Sequence, residues 1–286
     1  MAGGSVGGVA PTAPAAPLGP YAVGVVVTVL AVLSQYFVPE LVPATRVVYG
    51  NLPGDLFVIY GIPVIAFALL VGAEPLRHWR DRMGRASWEG LRWYGLLSLL
   101  AIVVIFALEI VYSVVDPSAL GLLSRPNPAL EQARSDPWFY VGFSFVVGAF
   151  EETIFRGWIF GFWSRRPGDW LVPATWTSAV FTGVHLYYAT TYGIAVPLIL
   201  PSLFLTGFAL AATYQLSGGN LVVPALLHGA NDAAAYLSIV PQSWGLALGL
   251  AVRYGLILVG GVIGLIEYLR KEEGTPPPPG PFGAPP

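Results

Sequence analysis

WYGLLSLLAIVVIFALEIVYSVV, residues 93–115, carries a single charged side chain, Glu109. A helix that crosses the hydrocarbon core of a bilayer needs about 20 mostly apolar residues, and this stretch supplies them without a break. Working outward, the same reading holds for 21–38, 56–73, 138–163, 170–188, 193–216, 221–240 and 244–267. These are continuous apolar runs, without the polar–apolar alternation of a membrane barrel strand. The expected fold class is all-α: a polytopic membrane protein, a bundle of about eight transmembrane helices.

Composition agrees. Of 286 residues, 55% are hydrophobic and 10% charged, whereas a soluble domain carries about 25% charged residues. Mean hydropathy is +0.68. With 14 Lys+Arg against 16 Asp+Glu there is no basic excess to bind nucleic acid. The absence of cysteine removes disulfides, thiolate metal sites and a cysteine nucleophile. No charge precedes Glu40, so the basic region of a cleavable signal peptide is missing and 21–38 reads as a retained span. Residues 1–20 read as a disordered Gly/Ala/Pro tail and 271–286 as a Pro-rich one, which leaves 21–270 as an eight-span domain.

Arginine placement sets the expected orientation. Arg77, Arg80, Arg82, Arg85 and Arg92 cluster between the second and third spans, together with His78. That loop is read as cytoplasmic. Alternating from it puts Arg165, Arg166, Arg270, Lys271 and both termini on the same side. The expected location is thus integral membrane, multi-pass, with both termini in the cytoplasm. No internal repeat supports an inverted-repeat transporter.

Ionisable groups inside a membrane cost at least ~2.5–3.5 kcal/mol each at a helix centre and are functional candidates for that reason. The fourth span holds Glu151, Glu152 and Arg156, the fifth His185, and the seventh His228 and Asp232. Glu152 and Arg156 stand four apart, in the favourable order for an intrahelical ion pair. Glu151 points roughly 100° away and has no local partner, which suits a general base in a dry pocket. Phe181 lies one turn from His185 and can fix its ring, and Gly183 between them would let a helix or substrate backbone approach. His228 shares a face with Asn231 and Asp232. Each group alone has a packing reading as well; together, a glutamate and two histidines on three helices can converge on one water molecule. Arg253 in the eighth span needs an acidic or carbonyl partner, with Glu109 and Asp232 as the options.

Two chemistries fit. Glu151 and His185 can activate water for attack on a peptide carbonyl while His228 and its neighbours stabilise the oxyanion. Alternatively Glu151, His185 and His228 bind zinc, whose open position holds the water. The metal-free version is favoured, because the H-E-x-x-H helix of zinc proteases is missing. No Gly-flanked serine, Gly-x-Gly-Asp pair or cysteine supports another intramembrane protease chemistry.

The ordered set E-E-x-x-x-R (Glu151, Glu152, Arg156), F-x-x-x-H (Phe181, His185) and H-x-x-x-Asn/Asp (His228, Asp232) resembles the CPBP family. That family contains type II CAAX prenyl endopeptidases and bacteriocin-processing or self-immunity proteins, and the resemblance covers 138 to about 240. It implies an intramembrane endopeptidase acting on a membrane-associated peptide near its anchored terminus. It also implies a catalytic Glu151 assisted by His185, an oxyanion site at His228 and Asp232, and a structural Glu152–Arg156 pair. Asp232 stands where the CAAX-cleaving branch tends to have Asn, and Asn231 could supply the donor instead. A non-catalytic peptide-binding or self-immunity module is the alternative; a proton-coupled transporter is a third. The span boundaries leave one tension, for they place His185 nearer the outer face than His228.

Overall fold

The computed structural model describes residues 18–46, 52–76, 88–117, 130, 133–161, 170–186, 196–217, 219–240 and 244–270. His78, the arginines at 77–85, 165 and 166, and the C-terminal tail from 271 lie outside them. Among the described residues there is no strand, and the long helices coincide with the eight apolar runs. They are α1 (Leu18–Leu41), α2 (Leu52–Leu56, Phe57–Gly61 and Ile62–Leu70, continuous), α3 (Trp88–Val115) and α4 (Pro137–Glu152, continuing through Thr153–Phe160). After these come α5 (Leu171–Val184), α6 (Val196–Leu216), α7 (Val222–Leu237) and α8 (Gly245–Arg270). The chain is an all-α integral membrane protein. Five of these helices, α1, α2, α3, α6 and α8, are long and apolar enough to cross a membrane unaided.

Two expected boundaries need correction. The helix of α1 begins at Leu18, so 18–20 are not part of a disordered tail. The fifth helix ends at Val184 rather than 188 and has 14 residues, about 21 Å of rise. That is short of the ~30 Å hydrocarbon core. His185 follows directly on its last turn, and the two histidines approach each other across Phe181, whose ring centroid lies 4.6 Å from that of His185 and 6.0 Å from that of His228.

α4 packs most extensively on α7, α7 on α8, α8 on α3, α3 on α6, and α6 on α5, whose other side meets the Thr153–Phe160 segment. α1 and α2 pair with each other beside this ring. Glycine sets the crossing of α4 and α7. A Cβ on Gly148 would stand 2.8 Å from the Ala225 carbonyl and the Gly229 amide, and one on Gly229 would stand 2.7 Å from the Phe145 ring. The α4 and α7 backbones therefore touch one turn before Glu151 and Glu152, opposite His228. Small residues at helix crossings allow this approach in membranes.

Both α2 and α4 contain a π-helical segment, Phe57–Gly61 and Thr153–Phe160. In α2 the wide turn immediately precedes Pro63, which has no N–H and whose ring crowds the carbonyl four residues back; the Ile62 amide bonds to Phe57, five residues back. Such turns rotate the following face of a helix and recur at functional sites.

Candidate active site

Glu151 and Glu152 close the α-helical part of α4, and both are buried. Arg156, also fully buried, donates from Nη1 to Glu152 Oε1 at 2.8 Å, as the four-residue spacing predicts. Its Nη2 donates to the Gly207 carbonyl of α6 at 2.7 Å. Gly207 has no side chain to obstruct this: a Cβ there would lie 3.3 Å from the Phe181 ring.

Glu152 does more than neutralise Arg156. Its Oε1 also accepts from His228 Nδ1 at 2.8 Å. Because the carboxylate only accepts, Nδ1 carries the proton and the ring orientation is fixed. His228 Nε2 then lies 3.8 Å from Glu151 Oε2 and 3.5 Å from Asp232 Oδ2. Asp232 is 35% exposed, so it sits at the wetter edge of this group. Asn231 Nδ2 points to Asp232 Oδ1 at 3.4 Å, a long contact, and not toward His228.

Phe181 is the common floor. Its ring lies 4.6 Å from His185, 6.0 Å from His228 and 5.1 Å from Phe155 (centroid to centroid), with the Arg156 guanidinium 5.2 Å above it. Its carbonyl accepts from His185 Nδ1 at 2.7 Å. That bond leaves Nε2 of a neutral His185 as an acceptor. A Cβ at Gly183 would meet no atom within 4 Å among the described residues, so of the two expected neighbours no described helix packs there and the space a substrate backbone would need is open.

Glu151 and His185 share a cavity of about 120 Å³, whose other walls include Gln35 and Tyr36 of α1 and Tyr60 of α2. Tyr60 donates to Glu151 Oε1 at 3.0 Å. Glu151 Oε2 is buried and has no hydrogen-bond partner among the described residues. Sequence reasoning missed Tyr60 and the Glu152–His228 bond. Each joins helices far apart in the chain, and a tyrosine in an apolar span gives no local signal.

Residues 133–234 match the family model for Type II CAAX prenyl endopeptidase Rce1-like. The matched segment holds every site residue from Glu151 to Asp232, while α1, α2, α3 and α8 lie outside it. At the level of this Rce1-like family, the match supports a CAAX-type intramembrane protease. No curated protein and no solved structure matches the chain.

The zinc alternative would draw on Glu151, His185 and His228. Among the described residues no three His, Asp or Glu side chains are gathered to hold a metal ion. Nδ1 of His185 and of His228 is hydrogen-bonded, to the Phe181 carbonyl and to Glu152, so Nε2 is the atom each would offer to a metal. Arg253 forms no ion pair with Glu109 or Asp232; its buried Nε and Glu109 Oε1 have no hydrogen-bond partner among the described residues.

Proposed function

We propose that this protein is an intramembrane endopeptidase that hydrolyses a peptide bond near a membrane-anchored terminus, by a glutamate mechanism. The observation that carries the reading is Glu151 Oε2: buried, without a hydrogen-bond partner among the described residues, on a cavity shared with His185, and beside a histidine whose ring another glutamate fixes. In this scheme Glu151 takes a proton from water, with His185 Nε2 as a second acceptor that aligns it. The hydroxide oxygen bonds to the scissile carbonyl carbon, and the oxyanion forms beside His228, whose imidazolium form donates from Nε2. Collapse breaks the C–N bond, and the proton held by Glu151 passes to the departing amine. Glu152, Arg156 and Phe181 hold the histidines in place, and Asp232 with Asn231 borders the oxyanion site. No cofactor enters this scheme. Both termini face the cytoplasm, following the arginine-rich 74–92 loop, and the substrate is a membrane-associated peptide or protein.

Glu151→Gln keeps the shape of the site and removes the base. Its cleavage rate should fall by about 10²–10⁴-fold, the usual contribution of a general base. The measurement compares protein termini by mass spectrometry in host membranes carrying wild type or Glu151→Gln at equal abundance. An uncleaved precursor accumulating only with the variant is the expected result and names the substrate. Equal turnover by purified wild type and variant would overturn the mechanism.

A further inference from the structure

Tyr60 stands outside the segment that carries the family match, yet it makes the one hydrogen bond that Glu151 receives from another helix among the bonds of the described site. Its position is built rather than incidental. The ring stacks on Phe150, the neighbour of Glu151, with centroids 5.6 Å apart and planes 16° from parallel. Three residues after Tyr60, Pro63 forces the wide π turn, Phe57–Gly61, in which Tyr60 sits. Further along α2, Phe67 stacks on Trp158 at 5.4 Å, and Trp158 Nε1 donates to the Gly72 carbonyl at 2.9 Å. The helix carrying the phenol is thus fixed to the helix carrying the carboxylate at two levels.

We infer that Tyr60 is a positioning residue for Glu151: its hydroxyl occupies Oε1, holds the carboxylate plane, and leaves Oε2 to the reacting groups. This rests on the reading of Glu151 as the base. A carboxylate on three rotatable bonds would otherwise turn within a cavity of about 120 Å³. A hydrogen bond to a charged acceptor is also among the stronger ones available to a side chain. The phenol reaches the site from α2, so the base is aligned by a part of the chain that the motif-bearing helices do not contain.

The test compares full-length Tyr60→Phe with wild type and with Tyr254→Phe, a tyrosine replacement on the exposed face of α8. Phe keeps the stack on Phe150 and deletes only the donor. The first readout needs no substrate. Membranes are treated with dicyclohexylcarbodiimide, an apolar carboxyl reagent, and adduct on Glu151 is quantified from fragment ions. With Oε1 no longer occupied, labelling should rise by about threefold or more in Tyr60→Phe, with Tyr254→Phe equal to wild type. Unchanged labelling of Glu151 overturns the inference whatever the activity. The second readout uses the precursor identified with Glu151→Gln: kcat should drop by about tenfold with KM within about twofold, the pattern of lost transition-state alignment. A raised KM with kcat intact would make Tyr60 a substrate contact and overturn the positioning role. If Glu151→Gln accumulates no precursor, the protease reading fails, while the labelling still decides whether Tyr60 holds Glu151.

Discussion

Five helices and three others divide this protein along a chemical line. α1, α2, α3, α6 and α8 are long and apolar enough to cross a membrane. α4, α5 and α7 fail that test: α4 carries Glu151 and Glu152 at its end, α5 has 14 residues, and α7 has 16 and carries His228 and Asp232. The helices that look least like spans hold the site. The physical reason is that a carboxylate, a guanidinium or a helix end at membrane depth persists only where protein or a wet cavity surrounds it. α5 stops where its last turn, which carries Phe181, delivers His185 to the cavity beside Glu151. The apolar helices form the enclosure that lets the other three be short and polar.

The sharpest way to break this comparison is to strip the polar helices of their internal compensation. Arg156→Ala leaves the Gly207 carbonyl buried without its donor and Glu152 buried without its cation. Removing one partner of a buried pair costs about 3–5 kcal/mol, so thermal unfolding in detergent should move far below wild type, with low yield from membranes. The double variant Glu152→Gln/Arg156→Met removes both charges and should recover most of that stability. It would still be inactive, because Gln cannot hold the His228 ring as the carboxylate does. Activity in the stable double variant would show that orientation of His228 is dispensable.

A second intervention acts on backbone approach. Leu at Gly148 places a side chain against the Ala225 carbonyl and the Gly229 amide, atoms that cannot swing aside. Overpacking of this kind costs about 1–3 kcal/mol. It should also part Glu151 and Glu152 from His228, so cleavage is expected to fall further than stability. A Gly148→Leu variant with normal turnover would separate the α4–α7 crossing from the site.

How much of this was legible beforehand follows the same division. The eight runs are visible because hydropathy is local, and Glu152–Arg156 is visible because both ends lie on one helix. Where α5 ends is hidden, since Leu186 and its neighbours remain apolar past the last turn. The Glu152–His228 bond spans 76 positions and Tyr60–Glu151 spans 91. No spacing rule reaches across helices, so sequence could collect the reactive residues but not say which nitrogen or oxygen each presents.

Asp232 gives the smallest expected effect and the finest discrimination. An ionised aspartate 3.5 Å from His228 Nε2 would oppose a developing oxyanion and help only if it oriented the ring. Glu152 already orients that ring through Nδ1 at 2.8 Å, so the charge on Asp232 has no second task there. Asn has the same shape and removes the opposing charge. Asp232→Asn should therefore keep kcat/KM within about tenfold of wild type, or raise it, at unchanged thermal stability; one hydrogen bond gained or lost sets that scale. A loss of roughly a hundredfold or more would mean that the carboxylate sustains the imidazolium form of His228. The three polar helices would then share one proton network reaching to their exposed edge, and the boundary between the site and its enclosure would lie outside Asp232 instead of at it.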